Sequence, residues 1–219
     1  MQATEINLGG VIAQCVGVIT SRIGLTLGTI FLITAGFSLL DLVPNKGAST
    51  LPSLIVNLVV QYYFVEALLL EGVERSQRRK RRYGSLFLAG LLGSLGIFAG
   101  MILLLLPGIF LMARWSISTP FIVADGMNGS EALKASWNAT FGSRWTLFVL
   151  FLLSCIALGA LFLVVILITT VLHLDPDSPF LSVASNFLVS LWLVGGWILG
   201  VGIYRCLRPS SIALESVFA

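Results

Sequence analysis

The chain has 219 residues, of which 57% are apolar and 11% charged, with a mean hydropathy of +1.00. A soluble domain carries about a quarter charged residues, so a water-facing surface is excluded. A β-barrel would show alternating segments of about ten residues, whereas the apolar runs here are continuous, which points to membrane-spanning helices.

Residues 7–21 read as an amphipathic helix. Leu8, Val11, Ile12, Cys15, Val16 and Ile19 recur at three- and four-residue spacing, which suits a helix lying in the membrane interface or one extending the first span. The N-terminus lacks a basic segment ahead of an apolar run, so no cleavable leader is expected. The expected spans are then 23–42, 51–70, 84–106, 108–123, 145–171 and 180–203. Each approaches or exceeds the ~20 helical residues that cross ~30 Å of hydrocarbon. This divides the chain into an interfacial helix (1–22), a six-span domain (23–204) and a cytoplasmic tail (205–219).

From Gly84 to Asp125 the only charge is Arg114. As one straight helix this stretch would be about 60 Å long. It must therefore turn, and Pro107-Gly108 is the expected break, because proline removes a helical donor and glycine tolerates unusual dihedrals. Charge placement supports the turn. With six spans and the N-terminus inside, the cytoplasmic segments hold Arg22, Arg75, Arg78, Arg79, Lys80, Arg81, Arg82, Lys134, Arg144, Arg205 and Arg208. Only Lys46 lies outside, and Arg114 lies within a span, which accounts for all 13 basic residues. Five spans would move Lys134, Arg144, Arg205 and Arg208 outside. The positive-inside rule therefore selects six spans with both ends inside, in an inner membrane.

Residues 129–141 read as a second interfacial helix, capped by Asn128 with Glu131. Leu133, Trp137 and Phe141 would sit in the headgroup layer, with Lys134 and Arg144 toward water or lipid phosphate.

Two intramembrane charges stand out. Glu66 lies nearer the inner face and Arg114 about 10 Å below the outer boundary. Buried charges are costly and mark either structural pairing or an ion path. Asn57, Gln61 and a carbonyl freed at Pro107 are the expected partners for Arg114. The run Arg75–Arg82 has six basic residues in eight. It is either a topology anchor or a contact for anionic lipid or an acidic partner, together with Lys134 and Trp137. No aromatic interleaving supports nucleic-acid binding.

Gly24/Gly28, Gly96/Gly100 and Gly196/Gly200 form GxxxG pairs, which permit close packing within the chain or a homodimer. Cys15, Cys155 and Cys206 form no CxxC pair, and His173 with Asp175 and Asp177 reads as a solvated loop rather than a metal site. Phosphate-loop, HExxH and GxSxG motifs are missing, so neither a cofactor nor an intrinsic catalytic function is expected.

The central stretch carries Leu106-Pro107-Gly108, Phe110, Arg114, Pro120, Ala132-Leu133, Ser136 and Gly142. It resembles the membrane domain of some glycerophosphoryl diester phosphodiesterases and the related YciC-like inner-membrane family. The resemblance implies a bacterial helical bundle. It does not carry over the phosphodiesterase activity, which in fused enzymes belongs to a soluble catalytic domain. The expected role is a non-enzymatic module that organises a lipid or protein partner at the cytoplasmic face. The alternatives are a small transporter using Glu66 and Arg114, or an accessory subunit of a lipid-modifying enzyme.

Overall fold

The computed structural model describes residues 8–42, 46–70, 81–173, 175 and 178–207, and every regular element among them is helical. The helices are α1 (Leu8–Ser21), α2 (Ile23–Asp41), α3 (Lys46–Leu69), α4 (Tyr83–Leu103), α5 (Leu105–Trp115), α6 (Ser118–Asp125), α7 (Gly129–Ala139), α8 (Arg144–Val171) and α9 (Pro179–Leu207). Six segments are long and apolar enough to cross a bilayer: α2, Pro52–Leu69 of α3, α4, α5 with α6, α8 and α9. These correspond to the six expected spans.

The bundle is built around α9, which packs against α1, α2, α3, α6 and α8. Glycines on α9 let its neighbours approach. A Cβ on Gly200 would stand 2.6 Å from the Ser116 carbonyl oxygen, and one on Gly202 would stand 2.7 Å from Cys15 Sγ. At one end, Asp41 closes α2 against the start of α9. Its Oδ2 accepts from Ser182 Oγ (2.6 Å) and Asn186 Nδ2 (2.7 Å). The opposite end gathers Arg22, Arg81, Arg82 and Arg205, with α1 and the last turn of α9 beside them. We refer to it as the basic end.

The helix α1 is distinct from α2, separated at Arg22 (φ −134°, ψ 39°). It docks on α9 through buried Val11 and Val18, with Cys15 packed against that core. Leu8, Ile12, Val16 and Ile19 face outward.

Three features of the central region differ from expectation. The turn after α4 falls at Leu104 (φ −165°, ψ 140°) and not at Pro107-Gly108. Pro107 occupies the first turn of α5, where a missing N–H costs nothing. Gly108 instead permits close contact between α4 and α5. A Cβ there would stand 3.0 Å from the Met101 nitrogen and 3.1 Å from the Ile97 oxygen.

The expected 108–123 span is two helices, α5 and α6, broken at Ser116-Ile117. Moreover, α7 does not lie free at an interface. It folds back along α6 and packs on α4 and α5, burying Ala132, Leu133, Ser136 and Thr140. Its capping box is present, with the Asn128 amide donating to Glu131 Oε2 at 3.0 Å. At the far end of α8, His173 takes a left-handed backbone (φ 49°) that ends the helix.

The close α4–α5 approach predicts that Gly108→Ala lowers the unfolding midpoint, at a cost of about 1–3 kcal/mol for overpacking. Gly28→Ala, where no atom lies within 4 Å of the new Cβ, should be neutral or stabilising. Thermal unfolding in detergent compares them, and equal midpoints would contradict the packing described.

Candidate functional site

The intramembrane polar residues do not form one cluster. The structure separates them into an ion pair at the basic end, a lateral cavity and a caged arginine.

Glu66 is 4% exposed, one turn before the end of α3. Arg81 Nε donates to its Oε2 at 3.0 Å, and Arg81 Nη1 donates to Tyr63 Oη at 3.2 Å. The same guanidinium lies 4.5 Å from the Tyr63 ring centroid. The hydrogen bond to Glu66 is the main reason the Arg81 pKa is raised above the ordinary arginine value. The next residue continues the clasp: the Arg82 amide donates to Tyr62 Oη (3.3 Å), and Arg82 Nη1 donates to Asn128 Oδ1 (2.6 Å). The last two residues of the basic run therefore tie α3 to α4 and α7. Arg75, Arg78, Arg79 and Lys80 lie outside the described residues.

Asn57 and Gln61 lie higher on α3 and line a cavity of about 760 Å³ between α3, α4, the α5–α6 break, α8 and α9. Gln61 Nε2 donates to Thr119 Oγ1 at 3.0 Å. Asn57 Oδ1 is buried without a hydrogen-bond partner among the described residues. The hydroxyls of Ser94, Ser116, Ser118 and Ser154 on the wall are spent on backbone carbonyls three residues earlier, so most of the lining is apolar. Gly90, Gly195 and Gly196 create the space, since a Cβ on any of them would meet nothing within 4 Å. The rim residues Leu54, Phe87, Leu91 and Leu191 are exposed on the apolar outer surface, so the cavity opens sideways.

Arg114 lies away from this cavity and is only 1% exposed. None of its expected partners reaches it. Its guanidinium carbon lies 4.3 Å from the Trp137 ring centroid, 5.7 Å from Phe141 and 6.0 Å from Phe110. Nε and Nη1 are buried without hydrogen bonds. Its backbone carbonyl, just before the α5–α6 break, accepts from Ser136 Oγ of α7 (2.7 Å), with the Thr140 hydroxyl, which donates to the Ser136 carbonyl at 2.8 Å, a further 3.4 Å contact at the end of α7. Counting residues placed Arg114 near the outer boundary. The structure instead sets it beside the start of α8, because the turn lies at Leu104 and Phe141 sits three residues before α8.

Sequence reasoning missed Phe110, Ser136, Thr140 and Phe141 as a shell for Arg114, and read Trp137 only as a lipid contact. The available signal was the Ser136/Thr140 pair at i, i+4, which put two hydroxyls on one face of a helix otherwise read as lying on the membrane. Lys134 is exposed on α7.

Residues 87–205, more than half of the chain, match the family model described as the membrane domain of glycerophosphoryl diester phosphodiesterase. The match runs from α4 to α9 and takes in the arginine cage and most of the cavity wall, but not Glu66. No curated protein and no solved structure matches the chain.

The ion pair predicts an asymmetry. Arg81→Ala, which leaves a buried carboxylate without its guanidinium, should cost on the order of 2–3 kcal/mol. Arg81→Ala combined with Glu66→Gln should cost less than Arg81→Ala alone. A double-mutant cycle of unfolding midpoints checks this, and strict additivity would show that the pair is not coupled.

Proposed function

The chain belongs to the family of the glycerophosphoryl diester phosphodiesterase membrane domain, and from that premise we propose that it is a non-enzymatic module that holds a bilayer lipid and presents it at the cytoplasmic face. The observation that carries the reading is the lateral cavity. It is mostly apolar, lies within the six-span bundle, opens to the lipid-facing surface through Leu54, Phe87, Leu91 and Leu191, and has the size of a site for one ligand. An acyl chain of a phospholipid fits that chemistry, with the Asn57 and Gln61 amides available to a polar linkage.

The basic end is the cytoplasmic side in this reading. Arg22, Arg81, Arg82 and Arg205 are grouped there, as the positive-inside rule requires of an inner-membrane protein with both ends inside. Glu66, the carboxylate a transporter would use, is engaged with Arg81, and Arg114 stands away from the cavity. Those placements favour a holding role over a continuous path of charges. The second reading is an accessory subunit beside a separately encoded lipid-modifying enzyme, and it draws its support from the family description.

Filling the cavity tests the proposal. Gly90→Leu with Gly196→Leu adds side chains where nothing lies within 4 Å of either Cβ, and leucine favours the helix over glycine by roughly 1 kcal/mol. The double variant should fold and hold co-extracted phospholipid at least about tenfold more weakly, equivalent to ~1.4 kcal/mol, by native mass spectrometry. Lipid retention equal to that of the parent would refute the cavity as the binding site.

A further inference from the structure

We propose that Arg114 and Arg144 together form a binding site for a phosphate group, entered by swinging the Phe141 ring aside. The site is separate from the lateral cavity, and the argument does not depend on it.

Arg114 is buried and its Nε and Nη1 make no hydrogen bond. No carboxylate among the described residues pairs with it. The charge that acts on it is that of Arg144, which has the same sign. Both guanidinium groups lie over the Phe141 ring, Arg114 at 5.7 Å and Arg144 at 4.9 Å from its centroid. Two like charges thus face one aromatic side chain with no counter-charge between them, in a segment buried within a membrane bundle. Cation–π contacts offset part of the cost. They supply no acceptor for the unused N–H groups, and a buried donor left unpaired carries its full desolvation cost.

A phosphate supplies what is missing. It carries the opposite charge and acceptor oxygens, and its geometry suits the planar guanidinium fork. The ring of Trp137, 4.3 Å from the Arg114 guanidinium carbon, holds that group in a fixed place and leaves its donor edge free for the anion. The start of α8 adds the positive potential of a helix N-terminus. Entry requires one movement. Phe141 is 58% exposed and belongs to the short connection between α7 and α8, followed directly by Gly142. Its side chain has open space to turn into, unlike Trp137, which also packs on Trp115 and Phe110. Exposed Trp145 flanks the opening, as suits a site at headgroup level.

Phosphate reaches such a site either as the headgroup of an anionic lipid or free in solution, and the test separates the two. The full chain is placed in phosphatidylcholine nanodiscs. It is titrated with phosphatidylglycerol, and separately with inorganic phosphate. The readouts are retained lipid by native mass spectrometry and intrinsic tryptophan emission. The parent should retain one phosphatidylglycerol in preference to phosphatidylcholine. Arg114→Gln and Arg144→Gln should each weaken that retention about tenfold or more, whereas Phe141→Ala should strengthen it. Lys134→Gln removes one exposed positive charge nearby and should leave it unchanged.

A response to inorganic phosphate that depends on both arginines, without lipid preference, assigns the site to the free anion. If Arg114→Gln does not fold, Arg144→Gln decides alone. Retention and emission that are indifferent to Arg144→Gln overturn the site. So does equal weakening by Lys134→Gln, or a parent that binds neither ligand.

Discussion

The Ser136 hydroxyl that α7 places on the Arg114 carbonyl holds together the irregular centre of this bundle. In hydrocarbon every backbone polar group must find a partner within the protein. A helix broken at Ser116-Ile117, inside a span, needs acceptors satisfied at the break. Ser136 on α7 meets that need at Arg114, with Thr140 one turn on bonded in turn to the Ser136 carbonyl. Much else follows. The helix α7 must fold back into the bundle to deliver that hydroxyl, and this brings Trp137 and Phe141 over the Arg114 side chain. The break also redirects α6, so that Thr119 meets Gln61 and Ser116 fits against Gly200. Cavity and cage are thus two results of one interruption in one span.

Sequence alone revealed the spans, because hydropathy and the distribution of lysine and arginine report directly on the bilayer. It revealed the turn between α4 and α5 only as a necessity of length. The turn itself falls in the run Leu103–Leu106, where four identical residues carry no local signal. Pro107 and Gly108 attracted attention for conformational reasons, yet one begins a helix and the other makes room for Met101 and Ile97. Helix α7 was legible as a helix from Asn128 and Glu131. Its surroundings were not, because Leu133, Trp137 and Phe141 at four-residue spacing satisfy a headgroup layer as well as a bundle interior. Glu66 was legible as a costly charge, but its partner lies fifteen residues away across a loop, where no helical periodicity could point to it.

The two internal charges are handled by different physics. Arg81 meets Glu66 near the basic end, where solvent still reaches the guanidinium and opposite charges settle the balance. Arg114 has rings in place of a carboxylate. An aromatic cage suits a cation that must accept different neighbours at different times. The rings compensate the charge weakly and without direction, whereas a buried carboxylate would lock it. Had the fold needed Arg114 only as an internal strut, one acidic residue on α7 or α8 would have sealed it. The structure instead surrounds it with three rings and a second arginine.

Helix α8 connects the two sites. Of its 28 residues only Leu147 and Phe151 are buried, both within the first eight residues. The long remainder, through Val171, presents apolar side chains outward. Arg144, Trp145 and Phe148 border the cage, while Phe151 and Ser154 border the cavity. A helix anchored to the protein mainly through its N-terminal part takes its position partly from what fills the spaces beside it. An acyl chain in the proposed cavity site would contact α8 at Phe151 and Ser154, and an anion in the proposed cage would contact Arg144, roughly two to three turns away. Occupants that favoured the same placement of α8 would link the two proposed sites through this helix, and Trp115, which lines the cavity and packs on Trp137, lies between them.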